Sequence, residues 1–336
     1  DLEDYGTYRV YDESIRDLCD LLKVQPKTVV HDMHPDYIST RYAKHRGAET
    51  ILAVQHHHAH IAARMAEHGL DGPVIGVALD GAGYGPDGTL WGGEFLVADF
   101  AGYRRAGHFN CYRLPGGEAA IKNPVRGMLS ILFAETGGEA FDTDPWVLDT
   151  FTSPERHVLV RMLENGVNSP WTSSAGRLFD AVSAYLGLCE SVSYEGQAAI
   201  RLESAADSSV RQCYDFRIRD EKGGPAVLDF GPMFTAIKNE KQGGKPVARI
   251  AGCFHETVAA GTAAMCDRIR RKTGIGRIAL SGGVFQNMIL LHRLSERLED
   301  TGFEVYAPES IPPNDGGIAL GQAALAVHAQ NNLNSA

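Results

Sequence analysis

Short apolar runs alternate with helix-length amphipathic stretches between residues 28 and 69, and that alternation leaves few folds open. "KTVVHDMHPDY" holds a β-branched run stopped by Pro35, "YISTRYAKHRGAE" reads as a helix ended by Gly47, "TILAVQ" is a second buried strand, and "HHHAHIAARMAEHG" continues as a helix. The order β-α-β-α predicts a mostly parallel sheet covered by helices, since parallel strands need crossovers that lay helices on the sheet. Upstream, "YDESIRDLCDLLKV" carries a helical stripe at Ile15, Leu18, Leu21 and Leu22. From residue 73 the texture changes to "PVIGVALDGAGYGPDGTLWGGEFLVADFAGYRRAGHFNCYRL", three strand-like runs separated by Gly and Asp turns, a β-meander.

Residues 118–205 read as mainly helical, and a polar stretch at 206–246 shows no clear period. "VARIAGCFHETVAAGTAAMCDRIRRKTG" is a long helix with a small-residue face, "RIALSGGVFQN" a strand entering a glycine turn, and "MILLHRLSERLEDTG" a helix. Two α/β lobes with a cleft between them are expected: residues 1–72, a larger lobe 73–315, and a closing helix 316–336 packing back on the first lobe. The first residue is Asp1, and "DLEDYGTYRV" reads as the continuation of a longer polypeptide, with strands of the first lobe missing.

With 336 residues, 44% hydrophobic and 22% charged, the chain can bury a sizeable core, and the class expected is a folded soluble protein. The net charge of −10 is spread along the chain and leaves no basic footprint for nucleic acid or an anionic membrane. No apolar run approaches a membrane span and no secretory pattern opens the chain, so the cytosol is the expected compartment. Cys19, Cys111, Cys189, Cys213, Cys253 and Cys266 lie far apart without a C-x-x-C pair, which fits reduced thiols better than disulfides or a zinc cluster.

Four histidines fall in five positions at 56–60. On a helix His56 and His60 share one face and can share one metal ion; His57 with His60 is the weaker pairing, and solvated or backbone-bonded imidazoles are the bland alternative. Two imidazoles do not close a site, so a carboxylate must come from elsewhere. Asp315 in "IPPNDGGIALGQA" is one candidate, though Asp there also suits a helix N-cap. Asp80 in "GVALDGAGYGPDG" is another, though it also suits a turn. The glycines of that string, including Gly83 and Gly85, permit amides to converge on an anion, but the Walker and dinucleotide spacings are absent. Gly282 and Gly283 lead from a strand to a helix whose free amides suit phosphate, with Asn287 as an added donor. Lys122 and Arg126 in "AAIKNPVRG" suit phosphate, or are simply a solvated basic pair.

Together "VQHHHAHIAARMAEHGL", "GVALDGAGYGPDGTLWGGEF", "LPGGEAAIKNPVR", "SYEGQAAIRLE", "LSGGVFQN" and "PPNDGGIALGQA" resemble the C-terminal, TsaD-like domain of the HypF carbamoyltransferase family over essentially the whole chain. The resemblance implies an actin/Hsp70-like (ASKHA) two-lobed fold with ATP or carbamoyl-adenylate and a metal, zinc or iron and possibly magnesium, in the cleft. It implies that His56, His60, Asp80 and Asp315 hold the metal, with Asp80 and Lys122 in catalytic roles. Gly83, Gly85, Gly176, Asp180, Gly282, Gly283 and Asn287 would hold the nucleotide, Asp180 at the ribose hydroxyls. It further implies transfer of a carbamoyl group to the C-terminal cysteine of HypE, a precursor of the hydrogenase cyanide ligand. The other modules of full-length HypF (YrdC-like, zinc-finger and acylphosphatase-like) and the segment bearing a first phosphate loop are not in this sequence. A TobZ-like O-carbamoyltransferase of small molecules and a non-catalytic nucleotide- and metal-binding docking domain are the alternatives.

Overall fold

A computed structural model describes residues 2–335; Asp1 and Ala336, the outer ends of the expected first lobe and closing helix, lie outside the described residues. The chain begins α1 (Tyr5–Leu22), β1 (Thr28–Asp32), α2 (Ile38–His45), β2 (Thr50–Val54) and α3 (His56–Glu67). The meander follows as β3 (Val74–Tyr84), β4 (Leu90–Ala98) and β5 (Tyr103–Phe109), then β6 (Tyr112–Arg113). Helices α4 (Glu118–Lys122), α5 (Val125–Thr136), α6 (Ala140–Thr143), α7 (Pro145–Thr150) and α8 (Ser153–Asn165) lead to β7 (Trp171–Thr172), α9 (Ala175–Tyr185) and α10 (Gln197–Ala205). The last part comprises β8 (Arg217–Arg219), β9 (Ala226–Asp229), α11 (Gly231–Gln242), α12 (Val247–Thr273), β10 (Arg277–Ser281), α13 (Met288–Asp300), β11 (Glu304–Tyr306) and α14 (Ile318–Ser335).

Strands β1 and β2 pair in parallel, as their β-α-β connection requires. The larger sheet is mixed, with the order β11-β10-β3-β4-β5-β9-β8 and with β6 and β7 beside β4. Alternation along β3 sends Ile75, Val77 and Leu79 into the main core with α5, α9 and α12, while Val74 and Ala78 face α3 on the other side. Gly76 is needed at that crossing, because a Cβ there would meet Ile61 of α3 at 2.5 Å. Helix α14 lies on α3 and on both small-sheet strands, and at Gly321 an added Cβ would stand 1.9 Å from the Ala59 carbonyl oxygen, so the two helix backbones touch.

Two parts of the sequence reading differ from the structure. The apolar stripe of α1 is not buried: Leu18, Leu21 and Leu22 are exposed and no residue of α1 is buried. The polar stretch at 206–246 contains β8, β9 and α11; β9 reads only "AVLD", buried on both faces, too short to show a period. Among the described residues no helix is long and apolar enough to cross a membrane.

Candidate functional site

Strand β2 runs straight into α3, whose N-terminus is capped by Gln55: its side-chain oxygen accepts from the His58 amide at 2.8 Å. His56 and His60 then lie one turn apart on one face, ring centroids 4.9 Å from each other. Facing them is Asp80, at the point where β3 breaks register with β4 between Leu79 and Gly83. Asp80 Oδ2 stands 3.1 Å from His56 Nε2 and 3.3 Å from His60 Nε2, while Oδ1 accepts from the Gly283 amide at 3.0 Å. Asp315 enters from the other end of the chain, its Oδ1 3.5 and 3.4 Å from the same two nitrogens. The N-cap role open to Asp315 in sequence is filled by Asn314, whose oxygen accepts from the Gly316 amide, so the Asp315 carboxylate is free for the cluster.

The donor atoms of these four residues all lie within 4.8 Å of one another. A tetrahedral ion with bonds of about 2.1 Å would separate its ligands by about 3.4 Å, close to the four imidazole-to-carboxylate spacings. Among the described residues buried His60 Nε2 makes no well-aligned hydrogen bond, although carboxylate oxygens stand 3.3 and 3.4 Å away, which is the state of a ligand atom aimed at an ion between them. Behind the cluster, His56 Nδ1 donates to Asp32 Oδ2 at 2.8 Å, which turns Nε2 toward the shared point. Burial works against protonation of His56, yet the carboxylates of Asp315, Asp32 and Asp80 raise it well above an ordinary imidazole; burial likewise opposes, and Asp315 and Asp80 prevail, at His60. Burial would lift Asp80, but the two imidazoles hold it well below the usual carboxylate range, and the same balance lowers Asp315.

His57 and His58 belong to the packing. The Gln55 amide donates to His57 Nδ1 at 3.1 Å, and burial lowers this imidazole's affinity for protons; His58 Nε2 donates to the Asp99 carbonyl at 2.7 Å. Gly83 and Gly85, expected at an anion, instead make room for rings: a Cβ on Gly83 would meet His57 at 2.5 Å and His56 at 2.8 Å, and one on Gly85 would meet Trp91 at 2.3 Å. Neither lines the cavity beside the cluster.

That cavity, about 540 Å³, is lined by Asp80 and Asp315 together with the start of α9, α10 and the turn after β10. Gly176 and Asp180 of α9 and Gly283 and Asn287 of the turn all line it. Gly176 lets α9 close on β3, its missing Cβ lying 2.9 Å from Gly81 Cα. Asp180 is raised by burial, opposed by the Arg177 guanidinium 2.9 Å away. Gly282 adopts a positive φ of 103° with the Leu79 carbonyl oxygen 2.2 Å from where a Cβ would be. The amides expected to be free here are bonded: Gly283 to Asp80, and Met288 and Ile289 of α13 to the Glu203 carboxylate at 2.7 and 3.3 Å. Lys122 is left outside, exposed and 3.6 Å from Glu118 on its own helix; Arg126 points to the Pro115 carbonyl.

Asn287 is held at both ends. Its oxygen caps α13 through the Leu290 amide and its nitrogen donates to His255 Nε2, each at 2.9 Å, while His255 Nδ1 donates to the Ala251 carbonyl at 2.8 Å. Burial pushes His255 down to about 4. In the unfolded chain the ring takes its proton near pH 6.5, so between 6.5 and 4 the unfolded state binds more protons and stability falls as the pH falls. The expected loss is about 3 kcal/mol across that window, complete below pH 4 and absent above pH 6.5. Urea midpoints of the wild type and His255→Gln should diverge at pH 7 and converge toward pH 4; parallel profiles would contradict it.

Sequence reading singled out none of Asp32, Glu203 and His255. Asp32 had a faint signal, a carboxylate ending the β-branched run "TVVHD"; Glu203 closes the string "SYEGQAAIRLE" in the last turn of α10, and His255 sits within α12 among ordinary neighbours.

A mixed sheet covered by helices, with two imidazoles and two carboxylates gathered beside a cavity that Asp80 and Asp315 help to line, defines an α/β domain with a candidate metal and ligand site. The chain matches the HypF Kae1-like domain over residues 1–67 and the second subdomain of the Kae1-like carbamoyltransferase domain over residues 76–322. It belongs to the HypF carbamoyltransferase family, and its architecture is the Kae1-like, actin-related ASKHA type. Carbamoyltransferase HypF2 of Cupriavidus necator is 38% identical over 97% of this chain and 43% of its own length. A HypF homolog of the same organism is 38% identical over 96% of this chain and 83% of its own length. A crystal structure of full-length HypF in the phosphate- and nucleotide-bound form superposes with a TM-score of 0.92 at 41% identity, covering 97% of this chain and 50% of that one. HypF from T. kodakarensis gives a TM-score of 0.75 at 29% identity over 90% of this chain and 40% of that one. The chain thus spans less than half the length of HypF2.

Proposed function

We propose that this chain is the carbamoyltransferase domain of a hydrogenase-maturation protein. It takes the carbamoyl group of carbamoyl-adenylate, made elsewhere from carbamoyl phosphate and ATP, and passes it to the C-terminal cysteine of HypE. The C–O bond to the adenylate phosphate breaks, a C–S bond forms, AMP leaves and the thiol gives up its proton. The observation that carries this reading is the convergence of His56, His60, Asp80 and Asp315, the two carboxylates of which also line a cavity of about 540 Å³.

Two imidazoles and two carboxylates suit zinc or iron better than magnesium, which favours all-oxygen sites. Such an ion, when bound, supplies positive charge against the oxygens of the carbamoyl or phosphate group. The remaining work falls to the chain itself. Asp180 accepts from the vicinal hydroxyls of the ribose, and Gly176 lets the start of α9 approach. Four of the chain's six cysteines are poor nucleophiles: Cys189, Cys253 and Cys266 are buried, and burial pushes Cys111 up to about 11. Cys19 and Cys213 do not line the cavity beside the cluster, and the acceptor thiol is read as the partner's.

Preformed carbamoyl-adenylate given to this protein together with HypE should add one carbamoyl mass to the partner's terminal cysteine, read by mass spectrometry of its C-terminal peptide. Carbamoylation of a small hydroxyl compound with HypE untouched would place the chain with the O-carbamoyltransferases; nucleotide binding without turnover would make it a docking domain.

A further inference from the structure

Asp315 is exposed and its segment, 307–314, has no helix or strand of its own, yet its carboxylate stands at a fixed distance from imidazoles on another element. The segment is held by α3. His56, His60 and Arg64 follow one another every four residues, and Glu67 lies three beyond, so all four share one face of the helix. Arg64 is fully buried and paired with Glu67. Arg64 Nη2 donates to the Ile311 carbonyl at 3.2 Å, and Glu67 Oε1 accepts from the Ser310 and Ile311 amides at 2.6 and 2.7 Å. Arg64 Nε reaches the Leu280 carbonyl at 3.3 Å, just ahead of the glycine turn whose Gly283 amide binds Asp80. Gly282 in turn donates to the Pro313 carbonyl at 2.9 Å, tying the two segments together.

A buried ion pair is a weak source of stability, and apolar residues of like volume often replace one without loss. Here the hydrogen bonds that the pair makes outside itself all go to main-chain atoms of the two segments that bring Asp80 its amide and the cluster its last carboxylate. We propose that Arg64 and Glu67 are a positioning pair: from the far half of the helix that carries His56 and His60, they set where Asp315 stands relative to those imidazoles. This rests on the cluster being a metal site.

The test is a double-mutant cycle on zinc affinity, measured by competition with a chromophoric chelator. Glu67→Gln should weaken Zn²⁺ binding by about 10- to 100-fold, the usual cost of losing a group that orients a ligand. Asp315→Asn should cost at least as much, and Glu67→Gln with Asp315→Asn no more than Asp315→Asn alone, because the pair acts through that carboxylate. A general loosening of the fold would instead make the two losses multiply, and that result, or wild-type affinity in Glu67→Gln, overturns the proposal. If Glu67→Gln does not fold, Arg64→Lys takes its place: it keeps the charge beside Glu67, cannot span both carbonyls, and should show the same lack of additivity. Wild-type zinc affinity in His60→Ala would bring down the metal site itself, whereas loss there with no loss in Glu67→Gln brings down only the pair.

Discussion

With the cluster holding a transition metal as proposed, replacing His56 and His60 together by alanine is expected to take metal content from a stoichiometric ion to none retained through desalting, read by elemental analysis. The two imidazoles are half of the donor set, and the donors left, Asp80 and Asp315, are carboxylates that repel each other across the site once the imidazoles are gone. Sites of this size hold zinc with about 10–16 kcal/mol at neutral pH, so losing half the donors removes on the order of 5–8 kcal/mol. The fold should survive, because both rings face the cluster rather than the apolar contacts of α3, which come from Ile61, Met65, Ala59 and Ala62. Full metal content in a folded double variant would end the assignment of the cluster, and with it the role given to Asp315.

Much of the scaffold behind that cluster was legible because its periods are strong. The β-branched runs at 28–32 and 50–54 and the meander from residue 74 are where the patterns put them. The imidazole pair was legible as a pair, since i and i+4 share a helix face whatever surrounds them. Its carboxylate partners, Asp80 and Asp315, were legible only as candidates that a turn or a cap suited equally, and the resemblance alone chose between the readings: Asp80 owes its place to a register break in β3, and Asp315 to a loop held by hydrogen bonds to main-chain atoms, neither of which leaves a mark in local sequence. The glycine-rich string misled for a physical reason. Absence of a Cβ serves an anion and a neighbouring ring equally well, and only packing shows that Gly83 yields space to His56 and His57. Lys122 misled in another way, a basic residue on a short helix that the fold turns to solvent against Glu118.

The string "LWGGEF" holds one more residue whose weight appears only in three dimensions, and Arg105→Met is expected to expose it with a loss of about 3–5 kcal/mol. Glu94 is completely buried on β4. Its partner Arg105, on β5, binds it through Nε at 2.6 Å and Nη2 at 3.0 Å, lies 4.0 Å over the Trp91 ring and reaches Ser173 Oγ at 3.3 Å. Methionine keeps the length and, among the described residues, leaves the carboxylate with the Ser173 hydroxyl and the Gly92 amide as its hydrogen-bond donors, a fully buried charge without its cation. The consequence reaches the site, because Ser173 precedes Ser174, which caps α9 and donates to the carbonyls of Asp80 and Gly81 at 3.1 and 2.5 Å. Urea unfolding of the Arg105→Met variant measures the loss. Adding Glu94→Leu should recover most of it, since the cost lies in stranding the charge rather than in losing the pair; a double variant as unstable as the single one would mean that the network is needed for its geometry at the start of α9.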